Sequence, residues 1–379
     1  MTLFYNNGYG ELNINSFTEL GYDLYLIDNE SYEFINELKD NDVLFIRLDD
    51  IDKINQLVNT NLKLTIFLFI SHEYCNEHRR IAIIKHKNPN HRIWFLTSHI
   101  DFYSKNNDVS LEARMFPFKE AFSDKVYNNP PHRTTKYNFF NRSINLRRLK
   151  IFEILKKKNI ELLDCYFTFG NIIKHNTFGG INTIAEFVEF RDNKNKLEID
   201  VEFISKYKDE FKLYENRQDV ELGVIQSSHS NDMYDTINEQ SLDSFVSMII
   251  ESSGDNGDDY RLTEKTLRAW LCKNIFLTLQ CKGFTKLLKQ NGIETFEDVF
   301  GLEIGWDDNK TETERIEIFV DALKRINELS IDEVKAIYES DSVQQRLEKN
   351  YKFIIDSFNP TNTILEIEKL IGYENNVLK

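Results

Sequence analysis

The sequence predicts an α/β protein of two domains, each a largely parallel sheet alternating with helices, followed by a helical carboxyl-terminal tail. The chain has 379 residues, and a single hydrophobic core stops growing at roughly 250 to 300 residues. Short apolar runs alternate with polar, helix-periodic ones on both sides of a stiff polar stretch containing Pro130-Pro131. Buried strands separated by helical segments mark a parallel sheet covered on both faces. From Glu312 onward the periodicity is helical throughout.

In chain order, the expected strands of the first domain are DLYLI (23–27), DVLFIRL (42–48), LTIFLFI (64–70) and RIWFLTS (92–98). Between them lie an amphipathic helix IDKINQLV (51–58) and a mixed stretch EHRRIAIIK (77–85). The segment SDKVYNNPPHRTTK (123–136) reads as a linker, because adjacent prolines stiffen a polar run. Beyond it, KYNFF (136–140), SFVSMIIES (244–252) and NIFLTL (274–279) are expected strands. LRRLKIFEILKKKN (146–159) is a helix with Leu149, Phe152 and Leu155 on one face. TEKTLRAWLC and FTKLLKQNG are helices too, the second ended by Asn291-Gly292. Ser330 and Glu333 have capping-box spacing, and the last helical run extends from Val343 to Phe358. The expected boundaries are 1–130, 131–330 and 331–379.

Composition narrows the function. Hydrophobic residues at 41 % and aromatics at 13 % describe a folded globular chain, and no run approaches the ~18 apolar residues of a membrane span. The amino end lacks the basic and apolar regions of a signal peptide, and Cys75, Cys165, Cys272 and Cys281 show no CxxC spacing. The expectation is a reducing, cytoplasmic setting. A net charge of −15 repels polyanions, so a nucleic-acid partner would need a local basic patch.

Two stretches carry candidate chemistry. Thr263-Glu264-Lys265 opens the helix whose apolar face is Leu267, Trp270 and Leu271. Free N–H groups at a helix start attract anions; a hydroxyl and an ammonium there suit a phosphate, and a carboxylate accepts two ribose hydroxyls. The structural alternative is that Thr263 caps the helix and Glu264 complements its dipole. The second stretch is FFNRSINLRRLKIFEILKKK (139–158), where a strand runs through Asn141-Arg142 into a helix carrying Arg147 and Arg148. A strand-to-helix turn of a parallel sheet is a phosphate-docking place, and guanidinium forks match phosphate oxygens. A solvated basic face is the alternative, and Lys156 to Lys158 fit it. His99 and Asp101 in SHID (98–101) follow an expected strand and are candidate general bases; a structural turn is the other reading. His72-Glu73 lacks HExxH spacing, and the glycines of TFGNIIKHNTFGGIN form neither GxGxxG nor a Walker loop.

In order, Asn141-Arg142 with Arg147-Arg148, Ser244-Phe245 to Glu251-Ser252, Thr263-Glu264-Lys265, NGIETF (291–296) and Trp306-Asp307 with Arg315 span 137 to 325. This ordered set resembles two-domain nucleotide-sugar glycosyltransferases of the GT-B type, from polysaccharide clusters and phage or large-virus genomes. Their corresponding half runs from a strand into an Asn-Arg helix, a Ser-Phe strand ending in Glu, Thr-Glu-Lys, a strand around Gly-Phe-x-Thr-Phe, and an aromatic-Asp pair before an Arg-bearing helix. Thr-Glu-Lys is also similar to the donor motif of α-1,3-fucosyltransferases. This chain differs there in the spacing from Tyr260 and in having Ala269-Trp270 where an Asn is expected.

The resemblance implies two Rossmann-like domains facing across a cleft, with residues after 330 returning to the first. It implies a nucleotide-sugar donor held by Asn141, Arg142, Arg147, Arg148, Thr263, Glu264 and Lys265, and an acceptor bound by the first domain. With basic side chains to neutralise the departing diphosphate, no metal or other cofactor is expected. Asp49-Asp50, Asp258-Asp259 and Asp307-Asp308 then read as solvated loop residues. A glycan or a modified base of nucleic acid is the expected acceptor class. The alternatives are a virus-encoded transferase acting on modified DNA bases and a non-catalytic nucleotide-sugar-binding protein.

Overall fold

A computed structural model describes residues 2–6, 23–27, 36–40, 42–47, 61–70, 92–97, 132–141, 145–169, 183–190, 197–207, 239–251 and 264–358. The chain divides into two compact units, Met1–Phe122 with Ile355–Lys379, and Ser123–Ile354.

The first unit holds a five-stranded parallel sheet of β1 (Thr2–Asn6), β2 (Asp23–Ile27), β3 (Val43–Arg47), β4 (Thr65–Ile70) and β5 (Arg92–Thr97), in the order β2-β1-β3-β4-β5. Val43, Leu44 and Ile66 are buried, as near-continuous branched and aromatic runs require of parallel strands. Ahead of β3, Asp42 accepts from Lys39 N at 2.7 Å, and Asp40 accepts from Lys63 N at 2.8 Å. Four strands fall where the apolar runs predict them. The fifth, TLFYN, is a strand that the reading of the amino end passes over. The expected helix at 51–58 and the mixed stretch at 77–85 lie outside the described residues.

The second unit is built on β6 (Thr135–Asn141), β7 (Cys165–Phe169), β8 (Ser244–Ile250) and β9 (Ile275–Leu279), all parallel, in the order β7-β6-β8-β9. Every residue of β8 and β9 is buried, which accounts for their unbroken apolar sequences. The short strand β7, CYFTF, is absent from the sequence reading. The described helices are α1 (Leu146–Lys157), α2 (Ile184–Phe190), α3 (Val201–Ser205), α4 (Glu239–Asp243), α5 (Glu264–Leu271), α6 (Phe284–Gln290), α7 (Glu312–Glu328), α8 (Ile331–Tyr338) and α9 (Asp341–Phe358).

Helix α7 turns Ile316, Phe319, Val320, Leu323 and Ile326 inward against α1, β6 and β9; Phe319 meets Phe139 of β6 at 6.1 Å between ring centroids. It starts at a reciprocal capping box of Thr311 and Glu314, and α8 at the predicted one of Ser330 and Glu333. Helices α8 and α9 as far as Ile354 belong to the second unit, where α8 lies against β6 and β8, whereas Ile355–Lys379 belong to the first. The stretch 331–379, read as one tail, is therefore divided between the units.

Two sequence expectations need correction. Residues 291–296, matched to a strand in the resembled group, form no strand: Ile293 and Phe296 plug the core, and Asn350 binds both backbone groups of Glu294, at 2.8 Å each. A buried side-chain amide thus replaces the partner strand. Asp307, expected to be solvated, is 2 % exposed and accepts from Thr285 N at 2.9 Å. Gly283 stands at the N-cap of α6 with a left-handed backbone (φ 77°) and no side chain to cap the helix, so the cap comes from Asp307 instead.

Candidate functional site

In an open parallel sheet the ligand crevice lies outside the carboxyl ends of two strands whose connections leave in opposite directions. In the second unit those strands are β6, followed by β7 on one side, and β8, followed by β9 on the other. The residues collected at this edge come from three places: the turn from β6 into α1, the end of β8, and the first turn of α5.

Asn141 closes β6 and is fully buried. Asn145 then caps α1, its Oδ1 accepting from Arg148 N at 2.8 Å. The Arg148 side chain crosses to β8, where Nη2 donates to Ile250 O at 2.9 Å. Arg147 turns toward α7, and its Nε donates to Glu312 Oε1, while Glu312 Oε2 accepts from Arg315 Nη2. One carboxylate thus sits between two guanidiniums, all three buried. A buried pair of this kind fixes the register of its helices more than it adds stability, because desolvation offsets much of the attraction.

At the end of β8, Glu251 is fully buried, and its Oε1 accepts from Thr266 Oγ1 of α5 at 2.5 Å. This contact ties the first turn of α5 to the end of β8. Glu264 is the first residue of α5, and Lys265 is half-buried beside it. The start of α5 with Lys265, and the buried Arg148 and Glu251, therefore share one edge. Such an edge suits a ligand with an anionic part and hydroxyls.

Of the residues singled out from the sequence, Asn141, Arg147, Arg148, Glu264 and Lys265 belong to the described second unit. Arg142, Thr263, His99 and Asp101 lie outside the described residues. Arg147 and Arg148, read as phosphate ligands, are 0 % and 1 % exposed, and the contacts just given engage them with Glu312 and Ile250 O. Sequence reasoning gave Asn145, Glu251, Thr266 and Glu312 no role in the site, although Glu251 stands in the ordered set that carries the resemblance. Glu251 carried a legible signal, as a carboxylate ending the apolar run SFVSMII. Thr266 and Glu312 carried none, since their partners are 15 and 165 residues away.

Among the described residues no group of three or more His, Cys, Asp and Glu is placed to hold a metal ion, and no helix is long and apolar enough to cross a membrane. Cys272 is buried, and burial pushes its thiol up to about 12, which keeps it protonated and poorly nucleophilic at neutral pH. Asp307 is also raised above the ordinary aspartate range, because burial outweighs the hydrogen bond from Thr285. No protein-family model, curated protein or solved structure matches this chain.

Proposed function

We propose that the protein is a metal-independent glycosyltransferase of the GT-B type, taking its sugar from a nucleotide-sugar donor bound at the carboxyl edge of the second unit's sheet. The observation that supports this reading is the Thr266–Glu251 contact, which brings the start of α5 to the end of β8 beside the β6/β8 switch point. Glu264 accepts the ribose hydroxyls. Lys265 and Arg142 neutralise the diphosphate as it leaves, an electrostatic stabilisation of developing charge. Arg147 and Arg148, given their burial, hold the β6–α1 turn in place rather than touch the phosphates. The acceptor belongs to the first unit, with Asp101 or His99 as the base in an inverting reaction.

A thermal-shift screen against UDP, GDP, CMP and their sugars identifies the nucleotide, because a ligand of the native state raises its melting temperature. Titration of that nucleotide into wild type and Glu264→Gln then tests the site. The expected loss is roughly 1.5 to 3 kcal/mol of binding, about 10- to 150-fold in affinity, with little change in folding. Equal affinities with a lowered melting temperature would leave Glu264 as a helix-dipole partner and remove the reading. Turnover of the nucleotide sugar with acceptor, persisting in EDTA, separates an enzyme from a binding protein.

A further inference from the structure

A cavity lined by none of the residues named at the candidate edge is bounded by β9, α6, residues 295–297 and Trp306. Much of its wall is apolar, including Phe276, Phe284 and Phe296, yet it gathers polar groups that are almost completely buried. Thr278 Oγ1 and Trp306 Nε1 have no hydrogen-bond partner, in residues only 5 % exposed each. Glu297, 3 % exposed, accepts from Thr295 Oγ1 at 2.5 Å through Oε2. Its Oε1 faces Lys289 Nζ at 3.0 Å, but the angles there make a charge contact and no hydrogen bond.

We infer that this cavity is a binding site for a single internal water, which joins β9 to residues 295–297 and Trp306. Size and chemistry agree. The free space for the centre of a water molecule is about 10 Å³, close to one water and too little for an organic ligand. Internal waters make about three hydrogen bonds to groups otherwise unsatisfied, and three are on offer. The indole N–H only donates, the Glu297 carboxylate only accepts, and the Thr278 hydroxyl does either. A water accepting from Trp306 and donating to Glu297 Oε1 and Thr278 Oγ1 gives each of these three atoms a partner. A bare cation does not, because the indole N–H would point its positive end at it.

Two measurements on the full chain test the site. A high-resolution crystal structure is expected to show one density peak within hydrogen-bond reach of Thr278 Oγ1, Trp306 Nε1 and Glu297 Oε1; a dry cavity overturns the inference. Oxygen-17 magnetic relaxation dispersion counts long-lived waters in solution without interference from exchanging hydroxyl protons. Thr278→Val, which keeps the shape and removes the hydroxyl, is expected to lower that count by one, and Thr278→Ser to preserve it. Equal counts in wild type and the valine variant overturn the assignment. If the valine variant does not fold, the crystallographic result on wild type decides.

Discussion

The two edges of the second unit's sheet use charge in different ways. At the amino edge a buried cation is tied to backbone carbonyls. Arg133 donates to the carbonyls of Leu242, Ser244 and Cys272 and to Asn274 Oδ1, and lies 4.8 Å from the Tyr338 ring centroid. Lys136 donates to Asn327 O and Leu329 O at the end of α7, at 2.9 and 3.0 Å, where a cation also complements the helix dipole. At the carboxyl edge, side-chain ions largely meet other side chains: Arg147 and Arg315 share Glu312, and Glu251 meets Thr266. A charge bound to backbone carbonyls holds the chain and has little left for a ligand. Ions that orient one another can hold helix starts in position around one. The amino edge therefore reads as architecture and the carboxyl edge as a framework for binding.

The largest expected effect breaks the comparison if it fails. Glu312→Gln removes the carboxylate that two buried guanidiniums share, and is expected to cost roughly 3 to 5 kcal/mol of stability by urea unfolding. A loss below about 1 kcal/mol would show that the triad is hydrated and not a buried strut. Arg133→Met comes next, at about 3 to 4 kcal/mol, because several buried acceptors lose their donor together. Nucleotide affinity of the folded fraction should stay at the wild-type value, and a change in it would erase the distinction between the edges.

Thr266→Val sharpens the comparison from the other side. Losing a hydrogen bond to a buried carboxylate is expected to cost about 1.5 to 3 kcal/mol, and it should also weaken the nucleotide, since the start of α5 is no longer held at the end of β8. Thr266→Ser should restore both. Recovery of stability without recovery of affinity would separate Thr266 from the donor site.

The smallest effect is in pH, and its sign differs between the edges. Burial pulls Asp243 up, but hydrogen bonds from Thr135, Thr134 and Tyr166 outweigh it and hold its carboxyl below the ordinary value of 3.8. Its contribution is present above that value and is lost as pH falls through the lowered one. Asp307 is raised by burial, so its contribution is complete below 3.8 and is lost as pH rises through the raised value. Asp243→Asn should reduce the acid-side loss of stability, and Asp307→Asn should reduce a loss on the rising side. Unfolding free energies measured from about pH 3 to about pH 7 check both effects; changes of slope relative to wild type that have the same sign in the two variants would refute the assignment.

Within the described residues, strands β2 to β6, β8 and β9 and helices α1, α5 to α9 were legible, since their apolar periodicity is local. Strand β7 was not read, although an expected helix precedes it and Gly170-Asn171 follows it; it is a five-residue edge strand whose Cys165, Tyr166 and Phe167 are only half-buried. At the candidate edge, Asn141, Arg147 and Arg148 could be found from the strand-to-helix turn that carries them. Their burial could not, because it depends on Glu312 and Ile250 arriving from distant parts of the chain. Asp307 was misread for the same reason: it looks like a loop carboxylate until Gly283 leaves α6 without a side-chain cap.

The sequence by itself determined the alternation of strands and helices, the capping box of Ser330 and Glu333, and the helix that begins at Glu264. These depend on residues within a few positions of one another, where propensity and periodicity act. Only the tertiary structure decided the strand order, the edge at which Arg148, Glu251 and Thr266 meet, and which charges face protein rather than water. Those follow from desolvation and hydrogen-bond satisfaction between segments up to 193 residues apart, terms that take their value only once the core has closed.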